Sequence, residues 1–139
     1  MPCLFCQIVQ GAAPAEVVYE DERSLAFLDV RPLFPGHTLL IPKQHYETLP
    51  ELPAELLEPF FRTSQLLAEA VERGMAAEGT FVAMNNKVSQ SVPHLHVHVV
   101  PRRKKDGLRG FFWPRTKYDS EEAMRQAGEA VRTALGARS

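Results

Sequence analysis

Three histidines occupy alternate positions in the segment Ser91–Pro101, which reads SVPHLHVHVVP. In an extended strand, alternate side chains point to the same face and lie about 6.6 Å apart. We therefore expect His94, His96 and His98 to line one face, with the apolar residues between them packed against a core on the other. Clustered imidazoles lower one another's pKa, so at least one should be neutral near pH 7. A neutral imidazole can act as a nucleophile or a metal ligand, and a protonated neighbour can donate to a phosphate oxygen.

Two kinds of chemistry compete for this triad. In one, all three imidazoles bind a transition metal; in the other, one attacks phosphorus while its neighbours stabilise charge. Three bonds of about 2.1 Å to one ion would require the side chains to converge. The three positions span about 13 Å along a strand, which opposes convergence. A divided role is favoured, in which an outer histidine serves a metal and the others face a substrate.

Cys3 and Cys6 form a C-x-x-C pair near the start of the sequence. Such a pair can be half of a metal site, a redox pair or two unmodified thiols. We expect no strand before it, which weakens the interpretation as a thioredoxin-like redox pair. A tetrahedral zinc site needs two further ligands from elsewhere in the chain. The spacing alone leaves the alternatives open.

The strands that would position these residues are predicted from short β-rich runs bounded by turn residues. Pro35-Gly36 favours a type II turn, because proline presets φ and glycine accepts a positive φ. It leads into the third of five predicted strands, which cover residues 16–20, 24–29, 37–42, 80–85 and 95–101.

Helical spacing of apolar residues predicts a long helix over residues 53–73, which Pro59 starts, kinks or restarts and Gly74 ends. A second helix is predicted over residues 120–135, with Ser120 as its N-cap. Strands that neighbour in sequence, with one long helix between them, indicate an α+β fold with an antiparallel sheet. The length of 139 residues fits a single domain over residues 1–139.

Composition limits the classes of function. The hydrophobic fraction of 45% and charged fraction of 24% are globular averages, and the net charge is −1. No overall field would attract nucleic acid or a membrane surface. No apolar run approaches the roughly 20 residues of a membrane span, and the N-terminus lacks the pattern of a secretory signal. We therefore expect a small cytoplasmic protein whose partners are neither nucleic acid nor membrane.

The segment Pro101–Arg115 is typical of neither helix nor strand. Its basic run, Arg102–Lys105, is compatible with a solvated loop or with a rim that attracts phosphate. The aromatic cluster at residues 111–113 is compatible with a packed loop or with a dimer contact.

Ser91–Pro101 resembles the H-x-H-x-H motif of the histidine triad (HIT) family. Phe27–His45 resembles the second signature of that family, and CLFCQIV at residues 3–9 resembles its N-terminal segment. Three segments in this order, across about residues 3–101, make the resemblance highly specific. It implies a HIT-like α+β domain that forms a two-fold homodimer.

The resemblance also implies an activity, because family members are hydrolases and transferases that cleave an α-phosphate linkage of a nucleotide. His96, the middle histidine, would attack the α-phosphorus and form a covalent nucleotidyl-histidine. His98 would hydrogen-bond a phosphate or bridging oxygen, and a backbone carbonyl would hold the other nitrogen of the nucleophile. Candidate substrates are diadenosine polyphosphates, adenylyl phosphoramidates and nucleotide-sugar-like compounds. The alternative is a non-catalytic nucleotide-binding regulatory module.

Further residues match family positions around the nucleotide. Asp29 would bind ribose hydroxyls, Asn85 would lie near the ribose and α-phosphate, and His37 would support the triad from behind. Gln90 and Ser91 would contact the phosphate or the leaving group. An apolar slot for the base would contain Phe5, Ile8, Phe27 and Leu28. These four are equally compatible with an ordinary core, and Asn85 with a turn.

The zinc-bearing branch of the family uses the C-x-x-C pair, a histidine after the I-P-K segment and the first histidine of the triad. The matching residues, Cys3, Cys6, His45 and His94, would bind a structural zinc ion with no position left for water. One departure lies in the loop before the triad, where the family often has glycine and this chain has Ser89. We expect the loop to present its backbone N–H groups differently to phosphate.

Overall fold

The computed structural model describes residues 2–108 and 115–136, so the aromatic cluster at 111–113 lies outside the described residues. The chain divides into two compact units, Met1–Asp106 and Gly107–Ser139. The predicted single domain over residues 1–139 stays a prediction. The described residues of the second unit include helix α3 (Glu121–Gly136), which is exposed except at the half-buried Ala123 and Gly128. Ser120 caps it as predicted, because its Oγ accepts a hydrogen bond from the backbone N–H of Ala123 at 3.0 Å.

A five-stranded antiparallel sheet forms the centre of the first unit. Its spatial order is β1-β2-β3-β5-β4, and every neighbouring pair is antiparallel. The prediction of an α+β fold with an antiparallel sheet is confirmed. The strands are β1 (Val17–Glu20), β2 (Ser24–Leu28), β3 (Thr38–Pro42), β4 (Gly79–Ala83) and β5 (Val97–Arg102).

One face of the sheet is covered by the long helix α2 (Ala54–Gly74), which ends at Gly74 as predicted. Pro59 lies inside the helix and does not end it. The apolar stripe of α2 supplies Phe60, Leu67 and Val71 to the larger core, where they pack with buried residues of β2, β3 and β5. No helix among the described residues has the length and apolar character needed to cross a membrane.

The other face of the sheet is covered by a short helix, α1 (Leu4–Val9), which the sequence analysis did not predict. A helix of six residues gives too few turns for an apolar period to be seen. Its buried Phe5 joins a second core cluster with Leu25, Phe27, Leu39 and Ile41. With cores on both faces, every residue of β3 is buried.

The triad segment enters the sheet later than predicted, because β5 begins at Val97 and not at residue 95. The predicted alternation nevertheless holds. Leu95, like the valines at 97 and 99, is fully buried in the larger core under α2. The rings of His94 and His96 contact Phe5, which belongs to the core on the opposite face.

The basic run lies at the opposite end of β5 from His98. Arg102 pairs with Asp106 at 2.6 Å, Arg103 hydrogen-bonds the carbonyl of Met75, and the backbone N–H of Lys104 donates to a carboxylate oxygen of Glu78 at 2.8 Å. These contacts favour the interpretation as an ordinary loop over that of a phosphate-attracting rim.

The predicted two-fold dimer stays a prediction. Both edge strands expose apolar side chains, Val82 on β4 and Val17 and Val18 on β1. Leu57 and Phe61 are exposed on α2, which packs against β4.

The turn that precedes His37 depends on a glycine. The N–H of His37 donates to the carbonyl of Phe34 at 3.0 Å, and Gly36 has a φ of +98°. A Cβ atom at Gly36 would lie 2.4 Å from Cγ of Met75. Gly11 also has a positive φ, of +79°, but a Cβ atom there would meet nothing within 4 Å.

We expect Gly36→Ala to lower the free energy of unfolding by about 2–4 kcal/mol, from a left-handed backbone plus displacement of Met75. Gly11→Ala, the matched control, should cost only the backbone part, about 1 kcal/mol. Urea denaturation of the two variants measures both values. Equal losses would show that the contact with Met75 carries no cost.

Candidate functional site

The predicted catalytic residues face a cleft of about 440 Å³ beside α1. Its lining is mostly apolar, with a smaller polar set that includes Ser91, His96 and His98. This combination is typical of a small-molecule site. A larger cleft of about 530 Å³, between β1 and α2, contains none of the histidines. The apolar wall of the first cleft includes Leu4, Phe5, Ile8, Phe27 and Leu28.

His96 has one ring nitrogen committed and one available. Its Nδ1 lies 2.8 Å from the carbonyl oxygen of His94. A carbonyl can only accept, so Nδ1 carries the hydrogen and Nε2 keeps a lone pair. Burial lowers the pKa of His96, which favours this neutral form at pH 7. The ring is therefore an unprotonated nitrogen nucleophile in the wall of the cleft.

His98 is held in the opposite tautomer through His37. The backbone N–H of Leu33 donates to Nδ1 of His37 at 3.0 Å, so the hydrogen of a neutral His37 is on Nε2. That nitrogen lies 2.9 Å from Nδ1 of His98, which must accept. The hydrogen of His98 is left on Nε2. His98 is thus a hydrogen-bond donor in the same cleft where His96 is an acceptor.

Asp29 lies beside this chain of hydrogen bonds. One of its carboxylate oxygens is 3.7 Å from Nε2 of His37, and the other accepts from the N–H of Arg31 at 2.9 Å. Burial lowers the pKa of His37, and the charge of Asp29 opposes that shift only in part. Asp29, His37 and His98 converge closely enough to suggest a metal site. The donor from Leu33 argues against one, because it leaves a hydrogen on the His37 nitrogen that would face the ion.

A second cluster lies at the start of α1. The ligand atoms of Cys3, Cys6, His45 and His94 all lie within 4.8 Å of one another. Nδ1 of His94 is 3.3 Å from Sγ of Cys3 and 3.1 Å from Nδ1 of His45. Sγ of Cys6 is 3.4 Å from Nδ1 of His45 and 3.6 Å from Nδ1 of His94. The structure therefore brings together all four predicted ligands.

These distances fit a tetrahedral zinc site. Bonds of about 2.3 Å to sulfur and about 2.05 Å to nitrogen place a sulfur and a nitrogen about 3.6 Å apart, and two nitrogens about 3.3 Å apart. The orientation of His94 also fits, because its Nε2 lies 2.8 Å from the carbonyl of Pro42 and must donate to it. Its Nδ1 lone pair is then directed at the cluster, as in metal sites whose histidine ligands donate to a carbonyl.

Phe5 lies between the two clusters. Its ring packs edge-on against His94, with centroids 5.9 Å apart, and against His96, with centroids 5.1 Å apart. Its ring centroid is also 5.3 Å from that of Phe27, and both side chains line the cleft. A single side chain thus contacts a predicted metal ligand, the predicted nucleophile and a neighbour in the cleft wall.

Two predicted phosphate contacts lie outside the lining of the cleft. Nδ2 of Asn85 donates to the carbonyl of Ser89 at 3.2 Å. The side chain of Gln90 accepts from the N–H of Lys87 at 2.9 Å and donates to the carbonyl of Glu47 at 2.6 Å. Both side chains hold the loop before the triad, and their contact with a nucleotide stays a prediction. Ser91 and Asp29 do line the cleft.

The backbone of the same loop has the conformation that favours glycine, although this chain has Ser89 where the family often has glycine. Lys87 has a φ of +74° and Ser89 a φ of +62°, which is the left-handed region that favours glycine. Non-glycine residues there cost of order 1 kcal/mol or more and persist where other contacts hold them. The side chains of Asn85 and Gln90 supply such contacts.

Sequence reasoning missed several contributors to the site, among them Leu4 of the apolar wall. Arg31 lines the cleft next to Asp29, and a charged pair at the end of β2 was a signal that could have found it. The N–H of Leu33 fixes the tautomer of His37, and no side-chain pattern could reveal a backbone donor.

The chain matches the family model described as "HIT domain" over residues 10–105. An adenosine 5'-monophosphoramidase from Schizosaccharomyces pombe is 34% identical over 133 residues, which cover 94% of this chain and 96% of that protein. A solved structure of a HIT family member from Bacillus subtilis superposes with a TM-score of 0.85 at 35% identity and covers 96% of both chains. A zinc-bound histidine triad family protein from Mycobacterium smegmatis is 40% identical, with a TM-score of 0.72, and covers 98% of this chain and 97% of that one.

We expect the stability to depend on pH through His98. Burial, together with His96 and His37, lowers the pKa of His98 from 6.5 to about 4. Between these values the unfolded chain binds the proton and the folded chain does not, so stability falls as pH falls. From pH 7.5 to pH 5 this group should remove about 2 kcal/mol from the free energy of unfolding.

The comparison variant is His98→Asn, whose amide oxygen can still accept from His37 and does not titrate. Urea denaturation at both pH values should show the wild type losing about 2 kcal/mol more than the variant. Parallel losses in the two proteins would mean that His98 titrates normally in the folded state.

Proposed function

The chain belongs to the histidine triad (HIT) family, and from that membership we propose that it cleaves small nucleotides at the α-phosphate through a covalent nucleotidyl-His96. The observation that carries the proposal is the 2.8 Å contact between Nδ1 of His96 and the carbonyl of His94, which leaves Nε2 as a lone pair in the cleft. In the first step this lone pair forms a bond to the α-phosphorus while the bond from phosphorus to the leaving group breaks.

The carbonyl of His94 stabilises the product of that step. When Nε2 bonds to phosphorus, the imidazole of His96 becomes positively charged, and its Nδ1–H then donates a stronger, charge-assisted hydrogen bond. A water molecule next attacks phosphorus and releases a proton to solvent, the N–P bond breaks, and His96 recovers its lone pair. An acceptor other than water would make the same enzyme a nucleotidyltransferase.

His98 acts as a donor beside the nucleophile. Its Nε2–H is directed away from His37, so it can hydrogen-bond the departing atom or an equatorial phosphate oxygen. The neutral ring donates a hydrogen bond rather than a proton, because its pKa of about 4 is far below pH 7. Solvent supplies the proton that an oxygen or nitrogen leaving group takes up.

The cleft supports a purine nucleotide as the substrate class. Phe5 and Phe27 present apolar ring edges and faces to a base, and Ile8 and Leu28 complete that wall. Asp29 is half-buried in the lining and has an oxygen available for ribose hydroxyls. Because a relative of similar length is named as an adenosine 5'-monophosphoramidase, we propose an adenylyl phosphoramidate as the first substrate to test. Diadenosine polyphosphates are the second.

We also propose that Cys3, Cys6, His45 and His94 bind one structural Zn²⁺. The donor set and its distances support this, as does the zinc in the related M. smegmatis protein. When bound, the ion would link the N-terminal segment to the triad segment and supply no open coordination position.

The covalent intermediate is tested by mixing the protein with adenosine 5'-phosphoramidate and quenching in alkaline denaturant, since a histidine N–P bond is acid-labile. Intact-mass spectrometry should detect an adenylyl group on the wild type. His96→Ala should carry none and should lose turnover by about 10³-fold or more, because the nucleophile is gone.

The matched control is His98→Asn, which replaces the Nε2–H donor with a shorter amide that does not reach the same position, and keeps the nucleophile. It should still form the adduct, about 10²-fold more slowly. A wild-type protein that binds AMP and never forms an adduct would contradict the enzyme proposal and favour a nucleotide-binding module.

Elemental analysis tests the metal proposal. The purified protein should contain about one zinc per chain, and the double variant Cys3→Ala/Cys6→Ala should contain almost none, because two of four ligands are lost. The same double substitution should leave β2, β3 and β5 protected from hydrogen exchange. Zinc retained by the double variant would place the metal elsewhere.

A further inference from the structure

We propose that metal in the Cys3–Cys6–His45–His94 cluster and nucleotide in the cleft strengthen each other's binding through α1, with Phe5 as the positioning residue. This inference rests on the proposed function, which supplies both ligands. The proposed function requires binding at the cluster and at the cleft, and the further inference is that binding at one site changes the affinity of the other.

Helix α1 belongs to both sites. Cys3 caps the helix, and its Sγ accepts from the N–H of Cys6 at 3.4 Å, so the two sulfurs lie at the first turn. Other residues of α1, namely Leu4, Phe5 and Ile8, line the cleft. Movement of α1 would therefore change the metal cluster and the apolar wall together.

The helix is too short to be stable by itself. Isolated helices of fewer than about 12 residues are marginal in water, and α1 has six residues with no acidic side chain in its first turn. Within the described residues, two anchors hold it to the sheet. One is apolar packing, by the buried Phe5 with the half-buried Ile8 and Val9. The other is the cluster, in which Cys3 faces His94 and Cys6 faces His45.

The second anchor is strong only with a cation. Without an ion, thiol and imidazole groups at 3.3–3.6 Å form only weak hydrogen bonds. Coordination to one ion would instead tie Cys3 to His94, 91 positions away in sequence, and Cys6 to His45, 39 positions away. Without the ion, α1 depends on Phe5 and its partly buried apolar neighbours alone. The metal-free protein should spend more time with this wall of the cleft displaced.

Phe5 transmits the effect to the reacting group. Its ring meets that of His96 at 90° and that of His94 at 68°. Displacement of Phe5 would remove a wall from the cleft and one packing contact from the nucleophile. A nucleotide that packs against Phe5 would in turn hold α1 in place and keep Cys3 and Cys6 near the two histidines.

Coupling between binding sites is reciprocal. We expect zinc removal to weaken AMP binding by about tenfold, within the 5–150-fold range usual for coupled sites. Saturating AMP should raise the affinity for Zn²⁺ by the same factor. Isothermal titration of AMP into zinc-loaded and chelator-stripped protein measures the first value, and competition with a zinc-binding dye measures the second.

Two variants separate the role of α1 from a general loss of packing. Phe5→Leu and Phe27→Leu remove the same ring from the same cleft, at 4% and 3% exposure, but only Phe5 is on α1. Both should weaken AMP binding. Phe5→Leu should reduce the coupling to below about threefold, and Phe27→Leu should keep it near tenfold.

Hydrogen exchange gives a measurement that needs no variant. In the stripped protein the amides of α1 should exchange faster while those of β2 and β3 remain protected, and AMP alone should slow the α1 amides again. Equal exchange in α1 with and without zinc, or loss of protection throughout the sheet, would overturn the inference.

The outcomes also separate this inference from the proposed function. If Zn²⁺ or AMP fails to bind at all, the proposed function is wrong. If both bind and each leaves the affinity of the other unchanged within twofold, or if Phe27→Leu loses the coupling as fully as Phe5→Leu, only the coupling is wrong.

Discussion

The chemistry of the cleft depends on one hydrogen bond, from Nδ1 of His96 to the carbonyl of His94 at 2.8 Å. A free neutral imidazole carries its hydrogen on either nitrogen, and only one choice leaves a lone pair toward the cleft. A peptide carbonyl makes that choice permanently, because it cannot take up a proton near neutral pH. The surrounding fold keeps this peptide group in place. The intervening Leu95 is fully buried, and its N–H donates to the carbonyl of Tyr46 at 2.7 Å.

Two other imidazoles obey the same rule. His94 donates to the carbonyl of Pro42, and His37 accepts from the N–H of Leu33. His98 is oriented one step further away, through the side chain of His37. Four histidines can then be packed at a buried site because none has to be charged. Burial lowers the pKa of each, which keeps the network of donors and acceptors intact at pH 7.

Much of the fold could be predicted because its signals are periodic. The alternating apolar residues of the triad segment and the helical stripe of residues 53–73 each repeat often enough to identify an element. Helix α1 could not be found in this way, since it has fewer than two turns and is stabilised by contacts with residues far along the chain. The start of β5 was missed for a related reason. Side chains alternate through His94 and His96 as in a strand, but that part of the chain is not paired in the sheet.

Site residues could be predicted from the sequence where the type of side chain decides their role. They were harder to predict where the local backbone conformation decides which group a side chain contacts. The convergence of two cysteines and two histidines could be predicted because sulfur and imidazole are common ligands of structural zinc sites, and the structure brings the four residues together. Asn85 and Gln90 have the right chemistry for a phosphate contact, yet the left-handed backbone at Lys87 and Ser89 draws both amides into supporting the loop. Residue type alone cannot decide between a ligand and the chain's own backbone as a partner.

The donor at Leu33 has an evolutionary consequence. Because the group that orients His37 is a main-chain amide, almost any amino acid at position 33 can supply the same hydrogen bond. Proline is the exception, since its nitrogen carries no hydrogen. The side chain at such a position would vary widely among related proteins, and the only sign of its importance would be the absence of proline.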